Sequence, residues 1–262
     1  MPTKKIELNE QEQKQKKIAY IFALAFGFLI LIDFIVISIV YSWADWVAVL
    51  LFSLLFIVPA YLANAGMVIV GGGKPIDGGK TFIDGKPIFG PGKTWNGLIK
   101  GPLFIGIPIS IAIFLLFMVL WIFIAQIPSD SIQQGVYHYY TSMDYYRYYF
   151  IGGKEGDDYF IGFLTLIIRI ILCAYGAAFG DLIGSFIKRR FNLTRGQPLW
   201  VIDQLDFAIF AMLLTSIPSF LFPEIFIPLD LLIISFLLIL TPSVAILANT
   251  IAYIIGLKSV PW

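Results

Sequence analysis

The sequence predicts an all-α, polytopic integral membrane protein with about six transmembrane helices and cytoplasmic loops rich in glycine and lysine. Three observations carry this expectation. The 262 residues are 59% hydrophobic and only 13% charged, too little polar surface to cover a water-soluble body of this length. Six apolar stretches follow one another, at about 18–41, 46–66, 103–127, 161–187, 206–222 and 229–255. Fifteen of the 18 Lys and Arg residues fall in segments that a six-span path returns to one side of the bilayer.

Residues 1–17 form a polar tail, with Lys4, Lys5, Glu7, Glu10, Glu12, Lys14, Lys16 and Lys17. Its charge and the long apolar run behind it exclude a cleavable signal peptide. From 18 to 262 the chain reads as a single membrane domain. Each apolar stretch is near or above the ~20 residues that cross a ~30 Å hydrocarbon core. The fifth is the shortest, since 206–222 reaches only about 26 Å. The loop at 67–100 carries Lys74, Lys80, Lys86, Lys93 and Lys100; that at 188–204 carries Lys188, Arg189, Arg190 and Arg195; Lys258 comes after the last span. The loop at 128–160 has only Arg147 and Lys154 and is therefore the outer one, which puts both termini and both basic loops in the cytoplasm.

Several conspicuous residues have plain explanations. His138 stands in a tyrosine-rich run of the outer loop that reads as an interfacial aromatic belt or a folded cap. Arg169 lies about 12 Å inside the fourth span and snorkels or pairs, Asp33 being a candidate partner. The single Cys173 excludes a disulfide framework and a cysteine zinc site.

The unusual segment is GGGKPIDGGKTFIDGKPIFGPGKTW, residues 71–95, with eight glycines and four lysines. Gly-Lys-Pro-Ile occurs at 73–76 and again at 85–88, which predicts two similar turns. Glycine permits φ > 0 and lets backbone N–H groups converge on an anion, while each lysine supplies a mobile charge. Two readings stand: a phosphate-binding loop, or a flexible connection. A Walker A motif is excluded, because five residues before Gly92-Lys93-Thr94 stands Pro87 and five before Gly79-Lys80-Thr81 stands Lys74.

A second constellation is AAFGDLIGSFIKRRF, residues 177–191, where Asp181, Ser185 and Lys188 share one helix face. Gly176, Gly180 and Gly184 form a stripe that admits another backbone or a ligand, and a lateral gate for a lipid is one expectation for it. A third, RGQPLWVIDQLDF at 195–207, places Asp203 and Asp206 on one side of a helix that begins near 198–203. Three carboxylates beside so many cations suit a divalent ion, Mg²⁺, held with substrate phosphates. Pairing of the carboxylates with Lys188, Arg189 and Arg190 alone is the other explanation.

The stretches PAYLANAG (59–66), GGGKPIDGGKTFIDGKPIFGPGKTWNG (71–97), GDLIGSFIKRRFNLTRG (180–196) and VIDQLDF (201–207) resemble the CDP-archaeol synthases, archaeal membrane cytidylyltransferases related to bacterial phosphatidate cytidylyltransferases. The resemblance covers most of the chain after about residue 45. The first span looks like an addition to a five-span core, and the His-containing Gly-rich stretch of the bacterial relatives is absent. The resemblance implies transfer of CMP from CTP to an unsaturated glycerol-ether lipid phosphate, 2,3-bis-O-geranylgeranylglycerol 1-phosphate, with release of pyrophosphate. On that footing Asp181, Asp203 and Asp206 are assigned to Mg²⁺. Lys74, Lys80, Lys86, Lys93, Lys188, Arg189 and Arg190 are assigned to phosphates, with Gly73, Asp77, Gly78, Asp84, Thr94, Asn96 and Ser185 as further nucleotide-site candidates. Lys93, Lys188 and Asp203 are the expected catalytic residues. The partners implied are CTP, a lipid phosphate and the bilayer, with no nucleic acid. A CTP-dependent polyprenol or phytol kinase and a transporter of a phosphorylated solute are the alternatives; the latter wants polar groups at mid-bilayer, whereas these lie toward one face.

Overall fold

A computed structural model of the chain describes residues 10–134, 159–194 and 197–255. The expectations for His138, Arg147, Lys154, Arg195, Lys258 and most of the N-terminal tail lie outside the described residues. Nine α-helices and one π-helical segment are described: α1 (Glu10–Val40), α2 (Trp43–Ile69), α3 (Trp95–Lys100), the π segment (Gly101–Gly106), α4 (Ile107–Val119), α5 (Trp121–Ile124), α6 (Gln126–Gln134), α7 (Tyr159–Arg190), α8 (Ile202–Leu221) and α9 (Leu231–Ile254). Among the described residues there are six runs long and apolar enough to cross a membrane: α1, α2, α3 through α4, α7, α8 and α9.

The fifth span is longer than its hydropathy announces. It starts at Ile202, and its 20 residues reach about 30 Å, with Asp203 and Asp206 in its first two turns. The third span begins at Trp95, before the apolar run at 103. Thr94 starts it: its backbone is extended (φ −121°, ψ 152°) and its hydroxyl accepts the Gly97 N–H, satisfying one of the orphan donors of a helix start. At the π segment the third span packs closely on α2. A Cβ on Gly101 would lie 2.6 Å from the Met67 nitrogen, and one on Gly106 would lie 2.9 Å from the Ala63 Cβ.

α7 and α8 make the most extensive helix pair, and α2 packs on α7, the π segment and α9. Phe52, Ile57, Leu166, Ile170, Phe236 and Leu237 form part of the core between these helices, each at most 1% exposed. The Gly176/Gly180/Gly184 stripe admits α8 and not a lipid: Cβ atoms there would strike Ala211, the Asp206 carbonyl and the Asp206 carboxylate in turn. The gate expectation is therefore corrected, because the space it needs is filled by a helix. Asp33 accepts the Trp46 indole N–H at 3.0 Å, and the Arg169 guanidinium lies 5.9 Å from the centre of the Phe114 ring.

Candidate active site

The Gly-rich loop is a folded double hairpin. In its outer turn the Ile76 N–H donates to the Lys93 carbonyl and Trp95 N–H to that of Lys74; in the inner one Phe82 N–H donates to the Lys86 carbonyl and Ile88 N–H to that of Lys80. The repeated Gly-Lys-Pro-Ile has a structural counterpart. Gly73 (φ +80°) and Gly85 (φ +76°) each turn the chain into a Lys-Pro whose proline lies in a two-residue bridge. Both left-handed positions favour glycine, where a Cβ adds steric cost.

Asp77 and Asp84 organise these turns. The Asp84 carboxylate accepts the Lys86 N–H, and that of Asp77 accepts the N–H of Gly79, both two residues on. Asp77 is 7% exposed and also accepts from Phe89 and Gly90 at 3.0 and 2.8 Å, so it ties the two hairpins together. Burial pushes its carboxyl up, but the N–H donors of Gly90, Gly79 and Phe89 outweigh this and hold it below the ordinary carboxylate value.

The end of α7 clamps the loop. Arg189 donates from Nε to the Phe89 carbonyl and from Nη1 to that of Leu193. Arg190 donates to the Pro87 carbonyl, lies 3.0 Å from Asp84, and rests over the rings of Phe82 and Phe186. Lys86 in turn donates to the Arg190 carbonyl at 2.7 Å. Of the residues assigned to the nucleotide, Lys86, Arg189 and Arg190 thus already hold protein oxygens, as Thr94 does a helix start. Lys74, Lys80, Gly73 and Gly78 are exposed on the loop, Asn96 lies beside Gly73, and Ser185 is buried in α7.

Two lysines are left facing carboxylates. Lys93 Nζ lies 2.5 Å from Asp181 and Lys188 Nζ 2.6 Å from Asp203, all four half-buried. Asp206 lies against Gly184, within electrostatic reach of Asp181, Asp203 and Lys93. Asp203 also accepts the Leu199 N–H at 2.9 Å. Beside Lys93 and Asp181 opens a cavity of about 230 Å³ between the last turns of α2, the start of α3 and the α7 segment 178–182, lined among others by Asn64, Met67, Gly72, Gly92, Gly97 and Ala178. Asn64 lies within the PAYLANAG stretch but is not among the candidate site residues; an amide among the apolar and small residues near the end of a span is the signal that could have found it.

Among the described residues no three acidic, His or Cys side chains converge as a metal cage. The donor chemistry still fits a hard cation held the way Mg²⁺ is held, by one or two carboxylates completed by substrate phosphates.

The sequence profile described as CarS-like, CDP-archaeol synthase matches residues 46–137 and 152–262. The chain belongs to the CDP-archaeol synthase family. It is 38% identical over 220 residues to the CDP-archaeol synthase of Thermococcus onnurineus, covering 84% of this chain and 96% of that one. It is likewise 38% identical over 210 residues to that of Methanococcus aeolicus, covering 80% and 95%. A solved structure described as an intramembrane enzyme for archaeal membrane lipid biosynthesis aligns at 24% identity and a TM-score of 0.44, over 77% of this chain and 92% of that one. The CDP-archaeol synthase match begins at Trp46, so the double hairpin, both Lys–Asp pairs and Asp206 lie inside it and α1 lies outside.

Proposed function

We propose that this chain transfers CMP from CTP to an archaeal glycerol-ether lipid phosphate, 2,3-bis-O-geranylgeranylglycerol 1-phosphate, giving CDP-archaeol and pyrophosphate. The observation that carries the reading is the pairing of Lys93 with Asp181 at the mouth of a glycine-lined cavity, in a member of this family. A phosphate monoester is largely ionised at neutral pH and attacks without a dedicated base. Its oxygen forms a bond to the α-phosphorus of CTP while the bond from that phosphorus to the bridging oxygen breaks, and the electron pair leaves with pyrophosphate.

The barrier is one of charge, because two anions must meet and a third must depart. Lys93 and Lys188 supply positive charge at that point, and the nucleotide phosphates compete for them with Asp181 and Asp203. A carboxylate released from its lysine would be free, with Asp206 alongside, to hold a divalent ion. Bound there, Mg²⁺ would supply charge neutralisation on the phosphate oxygens. Arg189, Arg190, Asp77 and Asp84 hold the loop in shape. The positive-inside rule supports a site and both termini in the cytoplasm, where CTP is dissolved and the lipid headgroup emerges from the inner leaflet.

The deciding experiment incubates purified protein with CTP, Mg²⁺ and a panel of lipid phosphates and alcohols, following pyrophosphate and the lipid product. CDP-lipid with equimolar pyrophosphate is the expected result. CDP with a phosphorylated alcohol would instead establish the kinase, and no nucleotide turnover at all would sink both.

A further inference from the structure

α1 lies outside the family match, yet it touches the turn that presents Asp203. The Gln15 side-chain carbonyl accepts the Trp200 indole N–H at 2.6 Å. Two turns further along the same helix face, the Phe22 ring lies 5.3 Å from that of Trp200, tilted by 32°. The end of α1 is itself fixed to α9, where Lys16 Nζ lies 5.0 Å from the centre of the Tyr253 ring. Trp200 is thereby held from both its polar edge and its apolar face.

The next residue in the chain needs that support. Val201 has φ +69° and ψ −46°, a backbone region unfavourable to a β-branched residue, which persists only where the surroundings over-determine it. Around it Leu199 and Asp203 are joined twice: the Leu199 N–H donates to the Asp203 carboxylate at 2.9 Å, and the Asp203 N–H to the Leu199 carbonyl at 3.0 Å. The same carboxylate oxygen takes the Lys188 ammonium. The orientation of Asp203 is therefore tied to the path of residues 199–201, and that path is tied through Trp200 to α1.

We infer that α1 is a strut for the active site, and that Trp200 and Gln15 are positioning residues which set the Asp203 carboxylate against Lys188. This rests on the assignment of Asp203 to the reaction. It gives the additional span a purpose that a membrane anchor would not need, since an anchor has no use for a part-buried hydrogen bond to the turn before α8.

The test compares full-length wild type with Trp200→Ala, Trp200→Phe and Gln15→Leu, by amide hydrogen exchange without substrate and by steady-state kinetics. The expected result is exchange at Asp203, Gln204 and Leu205 about tenfold faster in Trp200→Ala and by a smaller factor in Gln15→Leu, which keeps the Phe22 contact, with the core of α7 unchanged. Turnover falls by roughly 10–100-fold while KM for CTP stays within about twofold, the pattern of a lost supporting contact. Trp200→Phe keeps the Phe22 contact and loses the hydrogen bond, so it falls between wild type and Trp200→Ala. Should Trp200→Ala not fold, Gln15→Leu on the flank of α1 still decides. Wild-type exchange at 203–205, wild-type turnover in a folded variant, or exchange raised uniformly along the chain would each overturn the strut. Wild-type protein that makes no CDP-lipid would sink the reaction and leave the exchange result standing.

Discussion

The Lys93 ammonium lies 2.5 Å from the Asp181 carboxylate, joining the last turn of the Gly-rich loop to α7 across 88 positions of sequence. Asp181 sits roughly two and a half turns before the end of α7, so the pair reaches into the bundle and closes one side of the cavity. If both charges serve the reaction, their identities matter as well as their attraction. Lys93→Met and Asp181→Asn should each lower turnover by roughly 10²–10³-fold, the usual cost of removing a transition-state stabiliser. The exchanged pair, Lys93→Asp with Asp181→Lys, restores the attraction; it should recover thermal stability in detergent and not turnover. Recovery of both would reduce the pair to a structural tie.

Asp77 gives the loop a pH dependence of known sign. Its folded carboxyl is held below the ordinary value of 3.8, since the N–H donors outweigh the effect of burial. A depressed carboxyl contributes stability that is complete above its unfolded value and is lost as pH falls through the folded one. Between pH 7 and about 5 the loop should therefore be unaffected by Asp77, and below about 4 it should loosen. Exchange at Gly79, Phe89 and Gly90, corrected for the intrinsic rate, reads this directly. Asp77→Asn should already loosen the loop at pH 7 and flatten the acid response; a variant with wild-type protection would remove Asp77 from its organising role.

The α7 glycines should be intolerant of any side chain. A Cβ on Gly184 falls on the Asp206 carboxylate and one on Gly180 on the Asp206 carbonyl, so α7 and α8 must separate. Gly180→Ala and Gly184→Ala should each cost about 1–3 kcal/mol or more by overpacking. Gly27 on α1 has no atom within 4 Å of its would-be Cβ, and Gly27→Ala should be neutral or gain ~0.5–1 kcal/mol. Thermal unfolding of the three variants in one detergent makes the comparison. Equal midpoints would show that α8 does not pack on this stripe in the membrane-protein state.

Much of this was legible in the sequence because it depends on local pattern. Six apolar runs announce six long helices, and the repeated Gly-Lys-Pro-Ile announces two turns of similar shape. What stayed hidden depends on contacts between distant residues. That Arg190 holds Asp84 and the Pro87 carbonyl, about a hundred positions away, is not written in its own basic run. Gly176, Gly180 and Gly184 promise close approach without saying whether a helix or a lipid makes it. The fifth span looks short because Asp203 and Asp206 lower the hydropathy of its first turns, so the carboxylates proposed for the site mask the element that carries them.

The left-handed backbone at Val201 makes the last prediction. Replacing a residue held at φ +69° by glycine relieves ~1–3 kcal/mol of strain. Against this stand ~0.5–1 kcal/mol of added chain entropy in the unfolded state and about 1 kcal/mol for the half-buried side chain. These terms nearly cancel, so Val201→Gly should leave stability within ~1 kcal/mol of wild type, where a valine in an ordinary conformation would lose more than that. Turnover should nonetheless fall, because a glycine at 201 no longer restricts the path from Trp200 to Asp203, while KM for CTP holds. Unfolding midpoints and steady-state kinetics on one preparation test both halves. A variant destabilised by more than ~2 kcal/mol would mean that no strain was present to relieve, and one with wild-type turnover would mean that the turn does not need Val201 to aim the carboxylate.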